Sequence, residues 1–88
     1  MTEIKLSCGF TAEVDETAID DAEMLEQLTA MDDGDPTAVI RIMKLFGLDR
    51  KKRAELYDLM KGENGRTPAE ATFKAVEEIF GQLNSKKK

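Results

Sequence analysis

The chain has 88 residues, 41% of them hydrophobic and 35% charged, with a formal net charge of −5, enough for one small domain and not two. The absence of histidine removes the commonest general base and metal ligand, and the lone Cys8 excludes an internal disulfide or a CxxC motif. No run approaches the roughly 18 continuous apolar residues of a membrane span, and no signal peptide opens the chain, so cytoplasmic residence is expected.

In chain order, the apolar residues first alternate strictly: Ile4, Leu6, Cys8, Phe10, Ala12 and Val14. That period of two, with Gly9 as a turn residue, predicts a short hairpin over residues 3–7 and 10–14. A lone hairpin is marginal in water, so it must lie on helices or pair with another chain. Cys8 reads as a small buried apolar side chain in a negatively charged neighbourhood, not as a reactive thiol.

A first helix is expected from residue 16 or 18 to residue 31, capped by Asp15 or Thr17. Its core stripe is Ile19, Ala22, Leu25 and Leu28, with Met24 and Met31 on the flank, and Gly34 forms its left-handed terminus. Residues 33–48 follow as the most apolar segment, started by Asp35 as cap and Pro36 at the first helical position. Val39, Ile40, Ile42, Met43, Leu45 and Phe46 cover an arc of about 220° at helical spacing, leaving one polar face to Arg41 and Lys44. A helix on the outside of a domain needs only about a 100° stripe, so this one is the expected central helix.

Gly47 ends it, and Asp49 caps a third helix over residues 50–61 with Leu56, Tyr57, Leu59 and Met60 on one broad face. Arg50, Lys51, Lys52 and Arg53 put four cations at the positive end of that helix's dipole, a cost of about 0.3–1 kcal/mol per close charge. Such a placement points to a partner or to the acidic first helix alongside; a solvated charged face is the plainer reading. A loop over residues 61–66 turns at Asn64-Gly65. Thr67-Pro68-Ala69-Glu70 then reads as a capping box for a fourth helix, with Ala69, Phe73, Val76, Ile79, Phe80 and Leu83 as its stripe. Asn84 onward is expected to fray. The fold class is mainly α: a small four-helix domain with an N-terminal β-hairpin, extended over 1–15, helical over 16–84, with a tail at 85–88.

Charge is distributed unevenly. Residues 1–40 carry eleven acidic side chains against Lys5 alone, while residues 41–88 carry twelve basic against seven acidic. The two halves either attract each other within the fold, at about 0–1 kcal/mol per exposed pair, or form a bipolar surface that orients a partner or stacks copies head to tail.

No residues are assigned to catalysis, a cofactor or a metal. Asp32, Asp33 and Asp35 cluster, but a calcium loop needs a glutamate about seven residues beyond its third acid, where this chain has Ile42; helix-end acids and a cap suffice. No glycine-rich phosphate loop is present. Nucleic-acid binding through Arg50–Arg53 and the lysine tail is opposed by a pI of about 4.7 and by the lack of interleaved aromatics. A small acidic helical protein that binds another protein remains.

The order KLSCGFTAEVDE, IDDAEMLEQLTAMDDGDP, an apolar helix, RKKRAELYDLM and GENGRTPAEATFKAVEEIF resembles the tail assembly chaperones of long-tailed phages and prophages, the short lambda G-type protein, over residues 4–80. The resemblance implies a small, mostly helical host-cell protein absent from the mature virion. It would coat the long, aggregation-prone tape measure protein before tail tube polymerisation. It also implies a longer frameshifted product, for which Lys86, Lys87 and Lys88 would permit an A-rich slippery run; a charged tail is the plainer reading. The expected binding edge, for helical segments of the tape measure protein or a second copy, is Leu45, Phe46, Leu48 and Tyr57, rimmed by Arg50, Lys51, Lys52 and Arg53. The alternative is a small antitoxin-like or anti-activator regulator that binds one partner stoichiometrically. The chaperone reading expects a very long open reading frame just downstream; the regulator expects a two-gene unit.

Overall fold

Residues 1–86 are described by a computed structural model, a mainly α domain of four helices behind a two-stranded hairpin. β1 (Thr2–Lys5) and β2 (Thr11–Val14) pair antiparallel with Ile4 opposite Ala12. The same register continues past the strands, where the Leu6 amide donates to the Phe10 carbonyl at 2.8 Å. Gly9, at φ 98°, turns the chain between them, a conformation that side chains with a Cβ rarely adopt. Alternation works as expected, with Ile4, Leu6, Phe10, Ala12 and Val14 buried on one face. Cys8 falls in the turn and is only half-buried.

The hairpin does lie on helices. From α4 (Ala69–Lys86), Gln82 accepts from the Lys5 amide at 3.1 Å, and Glu78 accepts from the Ser7 amide at 2.9 Å. Side chains one helical turn apart thus satisfy N–H groups along β1 and beyond it that would otherwise leave an open edge. At the other strand, the Asp15 amide donates to the Phe46 carbonyl at 2.9 Å and ties β2 to the end of the central helix.

The first helical segment is broken in two. Asp15 caps a short 3-10 helix, Glu16–Asp20, its carboxylate accepting from the Thr17 amide at 3.0 Å. Asp21 then takes an extended conformation and caps α1 (Ala22–Asp32) anew, accepting from the Glu23 amide. The restart changes the helix phase and corrects the expected stripe. Met24 is fully buried and Gln27 buried, whereas Leu25 is 65% exposed and Ala22 exposed. Ile19, Leu28 and Met31 are half-buried against the core.

α1 ends in a Schellman arrangement. Gly34, at φ 93°, donates to the Met31 carbonyl, and Asp35 donates back to Ala30. Asp35 caps α2 (Pro36–Leu45) through Thr37, with Pro36 at its start. α2 closes the same way: Gly47 donates to Lys44 and Leu48 to Met43. Both ends of the central helix are therefore fixed by local chemistry.

α1 packs along α2, and α4 packs on both α2 and β1. Ala38, Val39, Ile42, Met43 and Phe46 are buried, an arc of about 140° at 100° per residue. The expected 220° is not reached: Leu45 is half-buried and Ile40 is 41% exposed. Val76, Ile79 and Leu83 of α4 complete the core, and the Phe46 and Phe80 rings meet edge to face at 5.2 Å.

α3 (Arg50–Leu59) is capped by Asp49, which accepts from the Lys52 amide at 2.9 Å, and buries only Leu56 completely. Tyr57 and Met60 are half-buried, but Leu59, expected on the same buried face, is 51% exposed. Thr67 and Glu70 do not act as the expected capping box. The Thr67 hydroxyl donates to the Tyr57 carbonyl at 2.6 Å, stitching the end of α3 to the start of α4, and Glu70 faces Lys74. α4 continues through Lys86, past the expected frayed start at Asn84; Lys87 and Lys88 lie outside the described residues.

Candidate functional site

Two of the eight residues expected to form a binding edge belong to the core. Phe46 and Leu48 are buried within the monomer, because the turn after α2 folds both side chains inward. Leu45 is half-buried and packs against the core. That part of the edge offers a partner no open apolar surface.

The basic part comes together differently. Arg50, Arg53 and Tyr57 converge with Ile40 and Ala54 around a groove of about 300 Å³ between α2 and α3. Ile40 supplies an exposed β-branched side chain, and Tyr57 an amphipathic ring beside it. By its spacing Ile40 belongs to the core stripe, and Ala54 carries no chemical signal, so periodicity alone singles out neither. Lys51 and Lys52 are exposed on the same turn of α3 as Arg50 but do not line the groove.

Arg53 explains part of the unfavourable basic run. Its Nη1 donates to the Leu48 carbonyl at 3.0 Å, just beyond the end of α2, where the helix dipole favours a cation. One of the four charges therefore fastens α3 to the turn that follows α2. Lys52 lies 3.5 Å from Glu55, one turn along. Among the described residues, Arg50 and Lys51 make no ion pair. The groove is an apolar floor with a fixed guanidinium on one side and a freely placed one at its mouth. Such a surface suits the apolar face of an amphipathic helix that carries carboxylates.

The acidic cluster has local roles. Asp35 accepts from both the amide and the hydroxyl of Thr37, which holds its carboxyl below the usual value of 3.8; Arg41, 3.9 Å away, adds to this. Asp33 is the last residue of the α1 terminus and Asp32 the last of the helix itself. Glu16 is similarly held low by the Thr2 hydroxyl and the chain's amino terminus. A second depression, of about 200 Å³, opens between the hairpin turn and α4 and includes Cys8, Lys74 and Glu78. There the Glu78 carboxylate is already engaged by Ser7 and Lys74 lies 3.7 Å from Glu70, so the chemistry present holds the hairpin to the helix.

Among the described residues, no helix is long and apolar enough to cross a membrane, and no group of three or more acidic or cysteine side chains is placed to hold a metal ion. Comparison with protein-family models, with characterised proteins and with solved structures finds no match for this chain.

Proposed function

We propose that this chain is a tail assembly chaperone of phage or prophage type, which binds the tape measure protein and keeps it soluble during tail morphogenesis in the host cytoplasm. The observation that carries the reading is the groove of Ile40, Ala54 and Tyr57 under the guanidinium groups of Arg50 and Arg53. A long apolar helical client presents amphipathic segments one after another, and a small groove with a charged mouth takes them one at a time. Hydrophobic contact supplies the affinity and the arginines select segments that carry carboxylates. The sequence resemblance over residues 4–80 supplies the identity of the client.

The test is co-expression with the tape measure protein encoded beside the gene. The parent chain is expected to hold the client in the soluble fraction with many copies bound to each client molecule. Ile40→Ser combined with Arg50→Glu should lower the soluble client several-fold while leaving the chaperone folded. Unchanged client solubility with that variant would remove the groove from the account, and a tight one-to-one complex with a different small partner would favour the regulator reading.

A further inference from the structure

The exposed face of α1 carries the chemical complement of this groove. Leu25 stands 65% exposed at its centre, with Ala22 and half-buried Leu28 beside it at helical spacing. Exposed Glu26 follows Leu25, exposed Asp32 and Asp33 stand at the C-terminal end of the same helix, and no basic residue occurs anywhere between Lys5 and Arg41. Among the described residues these three carboxylates make no ion pair. An exposed leucine on an acidic helix thus faces outward on the same molecule that carries an apolar groove lined by arginine. No α1 residue lines the groove, so the two surfaces cannot satisfy each other within one chain.

We infer that, in the absence of a client, the α2–α3 groove of one copy takes the Leu25 face of α1 from a second copy. The contact is heterologous, because the donor and acceptor surfaces differ, so copies add head to tail. Two small complementary patches give a weak association, strengthened at low ionic strength where exposed carboxylates and guanidinium groups are least screened. The arrangement rests on the groove being the client site and adds its regulation. Free chaperone would cover its own binding surface, and a client segment would displace the neighbouring copy.

Two variants test this, each altering one surface. Leu25→Glu spoils the donor face and leaves the groove intact; Ile40→Ser with Arg50→Glu spoils the groove and leaves the donor face intact. All three positions are exposed, so thermal unfolding should show both variants folded like the parent. In sedimentation velocity at low salt, the parent should sediment faster as concentration rises, and added salt should reverse the effect. Each variant alone should remain a monomer over the same range, with self-association weakened at least about tenfold. Mixed together, the two variants should form a two-chain complex and nothing larger, because one intact groove meets one intact donor face. A parent that stays monomeric at every concentration, or variants that still associate alone, would overturn the inference. So would a mixture that forms no complex. Leu25→Glu is also expected to retain full client capture, so loss of self-association without loss of solubilisation separates this inference from the proposed function.

Discussion

Helices α2 and α3 have the same length and adjoin in sequence, yet they do opposite work. α2 is fixed at its start by Asp35 and Pro36, closed at its end by the Gly47 turn, and buried along one side among α1 and α4. α3 begins with four cations against its own dipole, is pinned by Arg53 and Thr67 at its two ends, and buries only Leu56 completely. The difference teaches where this molecule concentrates its stability and where it leaves surface open. Local openings come from elements with few buried apolar contacts, and the groove lies between one such element and the core.

Breaking α2 should cost the most. Phe46→Ala removes a fully buried ring and its edge contact with Phe80, and is expected to lower unfolding free energy by about 3–5 kcal/mol in a denaturant titration. Leu56→Ala should cost about 2–4 kcal/mol by the same measurement, but its signature differs. Because Leu56 is the sole fully buried side chain of α3, its loss should release that helix while the α1–α2–α4 core keeps its chemical shifts. Reversing the helix start sharpens the contrast in the other direction. Arg50→Glu with Lys51→Glu should raise thermal stability, by about 0.3–1 kcal/mol for each charge, since a carboxylate suits the positive end of a helix dipole. The same double variant should lose client capture.

The smallest expected effect is on acid. Asp35 has its pKa lowered below 3.8 in the folded chain, so the stability it contributes is present at pH values above 3.8 and is lost as pH falls through the lower folded-state value. Titration from neutral pH to pH 4 should leave the α2 start unchanged. Its amides should shift only once pH has fallen below 3.8, and Asp35→Asn should flatten that response.

Much of this architecture is readable before any coordinates, because its boundaries rest on local chemistry. Asp15, Asp35 with Pro36, and Asp49 start helices, while Gly34 and Gly47 end them, using interactions within a few residues. The phase of α1 is not readable in that way. Asp15 or Thr17 is the cap expected for one continuous helix, and the new start at Asp21 moves Met24 inward and Leu25 outward. Thr67 shows the same limit, since its hydroxyl takes a carbonyl ten residues away in place of its local cap role. At the candidate site, Arg50, Arg53 and Tyr57 announce themselves by type. Ile40 and Ala54 do not, because an apolar pattern shows which residues avoid water and not which side lacks a neighbour. Phe46 and Leu48 are apolar enough for an interface, and the turn at Gly47 places them in the core instead.

Native-state amide hydrogen exchange tests the division of labour between the two helices most directly. Amides of Ile42, Met43 and Phe46 should exchange only through global unfolding, with the highest protection in the chain. Those of Ala54, Leu56 and Tyr57 should exchange at least about tenfold faster, through local opening of α3, and slow when a client segment fills the groove. Equal protection in the two helices, unchanged by client, would contradict the assignment of α2 as the fixed centre and α3 as the working surface.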